Sequence, residues 1–177
     1  MSTNLRVWFY NPTQDTSGYF NKFVAYLDGP FCHCEIQFPD STAFTVYMGT
    51  NVIQKQRNFD TSKYTCVVVP CTLQQMRTAR ACADTEANAR KTFSLLMMGL
   101  AFSVVNVPST QGTFCSKLCA DILIAAQLMP QQDTRHVSPS ALYRHLHQQH
   151  MQNATLSTTA IDFSSRTHHY FGAQRNT

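Results

Sequence analysis

Between Phe31 and Phe38 the chain alternates residue by residue, with Cys32, Cys34, Ile36 and Phe38 set against His33, Glu35 and Gln37. Successive side chains of a strand project to opposite faces, so the segment predicts a strand with one apolar and one polar face. Pro39-Asp40-Ser41 favours a turn, and Ala43 to Tyr47 reads as a second strand, which makes a β-hairpin the expected unit. The apolar row needs a second layer to bury it, and the polar row needs partners or water.

The rest of the chain supplies that second layer. Leu5, Val7 and Phe9 alternate with Arg6 and Trp8 until Asn11-Pro12, predicting a short opening strand. After Thr16 or Ser17 as N-cap, Phe20, Phe23, Val24 and Leu27 recur at helical spacing up to Gly29-Pro30. Tyr64 to Val69 reads as a further strand, ended by Pro70 and buried through Val67-Val68-Val69. Thr72 and Gln75 have the spacing of a capping box, opening a helix that presents Met76, Ala79 and Cys82. A second helix is expected from Glu86 to Val105, the pair covering one side of the sheet. Ser116 to Met129 predicts another, with Cys119, Ile122 and Ala126 along one stripe and Pro130 as the stop. Ser138-Pro139 opens a short helix through Leu142 and Leu146. Beyond Gln148 the composition turns polar, with an extra strand at Ala160 to Phe163 as an option. The expected organisation is one domain over residues 1–150 and a polar C-terminal extension over 151–177.

Composition narrows the function classes. Of 177 residues, 44% are hydrophobic and only 14% charged, which argues against disorder and for a buried interior. Fourteen Lys and Arg against ten Asp and Glu leave a formal charge of +4, but the basic residues are scattered, so no nucleic-acid partner is expected. The apolar stretch Phe93 to Val107 is shorter than the roughly 20 residues that cross hydrocarbon, so it reads as a buried helix and no integral membrane span is expected. Met1 to Tyr10 has no secretory pattern, and the seven cysteines are an odd number. Both features fit reduced thiols and residence in the cytoplasm.

Two residues stand out for chemistry. Cys115 lies where Gln111-Gly112-Thr113-Phe114 feeds a helix, so its sulfur would sit near free backbone N–H groups and the positive end of the helix dipole. That position favours a thiolate and could stabilise an oxyanion, although a small Cys at a helix start also serves plain packing. His33 is the one histidine of seven that precedes Arg135. Either its polar row is the solvated face of a half-exposed edge strand, or it faces a cleft where His33 takes the proton from Cys115. Cys32, His33 and Cys34 alternate across a strand and lack a second cysteine pair at metal-ligand spacing, so no metal is expected. Cys119, one turn from Cys115, belongs to the apolar stripe and reads as core rather than as half of a redox pair. His168-His169 is isolated, and the Asn153-Ala154-Thr155 sequon has no bearing without a secretory route.

Three segments together resemble the permuted papain-like NlpC superfamily: Phe31-Cys32-His33-Cys34-Glu35-Ile36, Thr113-Phe114-Cys115-Ser116-Lys117-Leu118 and Val137-Ser138-Pro139-Ser140-Ala141-Leu142. Phe-Cys-Ser-Lys-Leu is similar to that family's nucleophile helix, and Ser-Pro-Ser-Ala-Leu to the helix start that follows it. The resemblance implies an α+β papain-like fold in which a small antiparallel sheet carries His33 and a helix N-terminus presents Cys115. It implies a cysteine hydrolase that cleaves amide or isopeptide bonds of a protein or peptide-like acyl substrate through a thioester, with no cofactor. Lipid acyl transfer or thioester hydrolysis is the alternative, favoured if Phe93 to Val107 is exposed; a catalytically inactive protein-binding module is another. The family's third polar residue falls on the strand after the His strand, where Thr45 is the positional match and Tyr47 shares its face. Neither is the His or acidic side chain that fixes an imidazolium most strongly, and Glu35 could supply a nearby negative charge. Low charge with abundant Gln, Asn, Ser and Thr suits the members of this superfamily found in large DNA viruses, which would place the chain in host cytoplasm.

Overall fold

The computed structural model describes residues 2–14, 18–101, 112–149 and 151–152. Among the described residues five strands form one antiparallel open sheet: β1 (Ser2–Tyr10), β2 (His33–Gln37), β3 (Thr42–Thr45), β4 (Ile53–Gln56) and β5 (Tyr64–Thr72), in the spatial order β4-β3-β2-β1-β5. The helices are α1 (Tyr19–Asp28), α2 (Leu73–Asn88), α3 (Leu95–Leu100), α4 (Cys115–Ala125) and α5 (139–149). The α+β class expected from the sequence is what the chain adopts.

Alternation decides which face each strand buries. Leu5, Val7 and Phe9 of β1, Cys34 and Ile36 of β2, Phe44 of β3 and Val67, Val69 and Cys71 of β5 form one core face, each at most 9% exposed. Against it lie Ala79 and Ala83 of α2, Leu118, Cys119, Ile122 and Leu123 of α4, and Leu142 and Leu146 of α5. At roughly 1.5–3 kcal/mol for each large aliphatic or aromatic side chain buried, this layer is the main source of stability. Small residues on α2 let that helix approach both the sheet and α4 closely.

The hairpin is present as β2, the turn at Pro39-Asp40 and β3, with Ile36 opposite Phe44 and Gln37 opposite Ala43. β2 is the central strand, flanked by β1 and β3, so the edge-strand reading of its polar row is overturned. β5 runs through Pro70 to Thr72 instead of stopping at Pro70. It can do so because β5 is an edge strand, where the missing N–H of proline costs no ladder bond. The same edge position leaves Val68 40% exposed, so the Val67-Val68-Val69 run is buried on one face only. β4 was not legible: Ile53-Gln54-Lys55-Gln56 has one apolar residue, and its strand character comes from pairing with β3.

Several helix boundaries differ from expectation for local reasons. The capping box at Thr72 and Gln75 is present and opens α2. The helix expected from Glu86 to Val105 is broken: α2 ends at Asn88, Arg90 takes a left-handed φ of 49°, and Ser94 caps a separate α3 by accepting from Met97 N–H. The intervening backbone is used elsewhere, since Val52 N–H donates to Lys91 O at 2.9 Å and Phe93 N–H to Thr50 O at 2.9 Å. α3 therefore packs beside the 3-10 turn at Thr134–His136, not over the sheet. Met97 is buried, but Leu95 and Leu96 are 55% and 57% exposed, so this apolar stretch is not the uniformly buried helix expected. Gly18, with no side-chain bond, is the N-cap of α1, while Thr16 and Ser17 lie outside the described residues. α4 starts one residue earlier than expected, at Cys115, and ends at Ala125, short of Met129, as Gln127 turns to a φ of 56°. Ser138 caps α5 by accepting from Ala141 N–H at 3.0 Å. The expected strand at Ala160 to Phe163, His168-His169 and the sequon also lie outside the described residues. Among the described residues, no helix is long and apolar enough to cross a membrane.

Candidate active site

His33 is the first residue of β2 and Cys115 the first residue of α4, and both line one cleft of about 300 Å³. Its walls come from Tyr10 and Tyr64 of the sheet, Asn21 and Val24 of α1, Val46, Tyr47 and Met48 after β3, and Phe93 and Met98 around α3. Sequence positions 82 apart thus converge because α4 packs on β2 with its N-terminus toward the strand start. Gly112 makes the entry to α4 possible. Its φ is +117°, and a Cβ there would lie 2.8 Å from Ser94 Cβ and 3.1 Å from Thr92 O. Thr113 then pairs with this segment, donating to Thr92 O and accepting from Ser94 N–H. Phe114, the N-cap of α4, makes no side-chain capping bond to the first turn of the helix.

The thiol of Cys115 is buried, yet its pKa is held well below the ordinary cysteine value. A hydrogen bond from the Cys34 thiol contributes most, burial opposes it, and the charge and hydrogen bond of His33 add to the lowering. The other shifted cysteines go the opposite way. Burial pushes Cys32 up to about 12 and raises Cys34, Cys66, Cys71 and Cys82. Burial alone would lower His33, but the charge of Cys115, its hydrogen bond and then Glu35 outweigh it and raise the imidazole to about 9. The thiol and imidazole therefore favour a thiolate–imidazolium pair between these limits.

Thr45 settles the orientation of the ring. Its hydroxyl is 3.1 Å from Cys34 O and 3.1 Å from His33 Nε2. A carbonyl only accepts, so the single hydroxyl proton goes to Cys34 O, and Oγ1 is left to accept from Nε2–H. Neutral His33 is then the Nε2–H tautomer, which leaves Nδ1 as the ring nitrogen with a free lone pair. Tyr47 stacks on the imidazole, with centroids 4.7 Å apart and planes 21° from parallel.

The polar row of β2 is almost entirely satisfied without solvent. Gln37 accepts from Trp8 Nε1 at 2.8 Å and donates to Arg57 O at 2.8 Å. Glu35, fully buried, accepts at Oε1 from Tyr47 Oη and from Arg57 Nη2, both at 2.8 Å, and lies 3.7 Å from His33 Nε2. Its Oε2 is buried without a hydrogen-bond partner. Phe59, stacked on Trp8 at 4.7 Å and with Arg57 over its ring, helps roof this side of the sheet.

The predicted residues Cys115, His33 and Thr45 are thus brought together, and the direct approach of Glu35 to the imidazole, uncertain from strand geometry alone, is present. Sequence reading missed Cys34, placed on the core face but adjacent to Cys115, and Arg57. Alternation of Ile53, Lys55 and Arg57 could have placed Arg57 on the Glu35 face had β4 been recognised. All seven cysteines are free, and Cys34 and Cys119 face each other with sulfurs 3.7 Å apart. No group of His, Cys, Asp and Glu among the described residues could hold a metal ion.

No protein-family model, curated protein or solved structure matches this chain. Any functional reading therefore rests on the site itself.

Proposed function

We propose that the chain is a cysteine hydrolase of the permuted papain-like type, acting on amide or isopeptide bonds of a protein or peptide-like substrate. The observation that carries this reading is that Cys115 at the start of α4 and His33 at the start of β2 line one cleft, with Thr45 Oγ1 3.1 Å from His33 Nε2; the lowered Cys115 beside a raised His33 agrees with it. The order of a His at the start of a hairpin strand, a Cys at the start of a later helix, and a Ser-Pro helix start after it supports the same assignment.

The residues would act as follows. The Cys115 thiolate attacks the acyl carbon, and the carbonyl electrons move to oxygen, where first-turn N–H groups of α4 offset the new charge. As the tetrahedral species collapses, the bond to the leaving group breaks and imidazolium His33 gives its proton to the departing amine. Neutral His33 then takes a proton from water, whose oxygen attacks the thioester and releases the acid. Cys115 leaves as thiolate and His33 is again protonated, so no cofactor is needed. Seven free cysteines suit a reducing compartment such as the cytoplasm.

The test is the rate of Cys115 alkylation from pH 5 to 9, mapped by peptide, beside a folded His33→Ala variant. Cys115 should react far faster than the other six thiols at low pH and lose that advantage without His33. Equal, slow reaction in both proteins would sink the enzyme reading and leave a protein-binding module.

A second reading is lipid acyl transfer or thioesterase chemistry by the same residues. Exposed Leu95 and Leu96 beside a cleft lined by Val24, Val46, Met48, Phe93 and Met98 favour an apolar acyl group. Comparing a short peptide amide with a long-chain acyl thioester at equal concentration separates the two.

A further inference from the structure

The reading of Cys115 and His33 as a catalytic pair leaves a gap, because Thr45 orients the imidazole but has no charge to balance it. A hydroxyl accepting from Nε2–H fixes direction, yet an imidazolium only 14% exposed also needs a counter-charge that stays when the Cys115 sulfur is bonded to an acyl group. The groups facing His33 can be counted element by element. β1 offers Tyr10, opposite His33 in the ladder; β3 is continued by Tyr47; β4 offers Lys55, and Arg57 follows it; β5 offers Tyr64; α4 offers Cys115. Cys32 precedes the strand as a neutral thiol. Of these groups, Lys55 and Arg57 are positive and Cys115 is the thiolate under discussion. Glu35 is the carboxylate among them, 3.7 Å from Nε2.

We propose that the third-member role is divided between two residues: Thr45 aims the imidazole, and Glu35, held by Tyr47 and Arg57, supplies a fixed counter-charge on the side of the ring away from Cys115. The geometry gives each partner a task. Arg57 Nη2 and Tyr47 Oη both donate to Oε1 at 2.8 Å, which pins the carboxylate on the His33 side, and Tyr47 with the His33 charge keeps it ionised and in place when Arg57 is removed. Lys55 Nζ donates to Tyr47 Oη at 3.0 Å, which turns the Tyr47 proton toward Glu35. Arg57 also donates to Tyr64 Oη at 3.0 Å, fixing the guanidinium across β5. Without the Glu35 charge, the same scaffold would present Arg57 and Lys55 to the imidazolium and repel it. Glu35 is thus a positioning and charge-setting residue, acting through His33 and not on the substrate.

This assignment rests on the proposed pair but can fail separately, because it concerns His33 and can be read with the nucleophile removed. The His33 imidazole is titrated by NMR in Cys115→Ser, its resonance assigned by loss in His33→Gln. Adding Glu35→Gln, which keeps size and the acceptor oxygen, should lower the His33 midpoint by about one pH unit or more. Adding Arg57→Gln instead removes a positive charge and should raise it. A loss of packing would move both variants the same way, so opposite signs are the signature. An unchanged midpoint in folded Glu35→Gln, or a fall in Arg57→Gln, overturns the proposal. Should Glu35→Gln not fold, Arg57→Gln decides by the sign of its shift. Ordinary reactivity of Cys115 in the native chain together with opposite-signed His33 shifts would end the hydrolase reading while leaving the role of Glu35 intact.

Discussion

Thr45 accepts from Nε2 of His33 at 3.1 Å while donating its own proton to Cys34 O, one residue along the strand that carries the imidazole. A hydroxyl with both functions engaged cannot reverse its role, so Nε2 keeps its proton whether the ring is charged or neutral, and Nδ1 is the nitrogen that gains or gives a proton. Replacing Thr45 with Val keeps the shape of a fully buried side chain and removes both bonds. Thr45→Val should lose about 1 kcal/mol of stability in a urea melt, and Cys115 alkylation near neutral pH should slow about tenfold. Thr45→Ser should restore both. Unchanged alkylation in a folded Thr45→Val protein would remove Thr45 from the site.

The pH dependence should differ between alkylation and turnover. Cys115 is lowered, so alkylation should rise on a limb well below that of an ordinary thiol and show no fall at high pH. The proposed acyl transfer needs the imidazolium as acid, and the neighbours of His33 raise its pKa to about 9. If the proposed amide hydrolysis occurs, its pH profile should therefore be bell-shaped, with a descending limb near 9 that alkylation lacks. A shared descending limb would point to unfolding instead of titration.

Cys34 is the leading cause of the low Cys115 pKa, through its thiol hydrogen bond. Cys34→Ala should therefore move the alkylation limb of Cys115 to higher pH, whereas Cys119→Ala, which removes the other sulfur near Cys34, should move it less. Limbs shifted equally in the two variants would make the effect one of packing.

Gly112→Ala tests the approach to the helix. A positive φ and a 2.8 Å clash with Ser94 Cβ should cost about 1–3 kcal/mol and slow Cys115 alkylation by moving the start of α4. Thr72→Ala is the matched control. Losing the capping box should cost about 1 kcal/mol in the same melt yet leave alkylation unchanged, since α2 does not line the cleft.

Glu35 also links stability to pH. Burial opposes its charge, but His33, Tyr47 and Arg57 outweigh that and lower its pKa. A carboxylate lowered on folding contributes stability that is present above the ordinary carboxylate range and lost as pH falls through its folded value. Native protein should therefore lose stability more steeply in acid than Glu35→Gln does; parallel acid melts would contradict this.

Residue order alone determined the β2–β3 hairpin, the capping box at Thr72 and the Ser138-Pro139 helix start, because strand alternation, capping geometry and turn chemistry act over a few residues, whereas it was the resemblance that paired His33 with Cys115, and the packing of α4 on β2 that brings them together. The resemblance also pointed to Thr45. Other features depended on what each segment met in space. β2 is central and its polar row nearly dry because β1 and β3 flank it and the Arg57 to Tyr64 segment roofs it, partners that periodicity cannot name. The predicted long helix breaks at Arg90 because the chain at residues 91 to 93 bonds to Thr50 and Val52. β4 exists because β3 offers it an edge, and only with β4 in place does Arg57 reach Glu35. The identity of the paired groups was written locally, whereas their charge states were set by burial and by neighbours far away in sequence, since electrostatic energies depend on distance and solvent access and not on chain position.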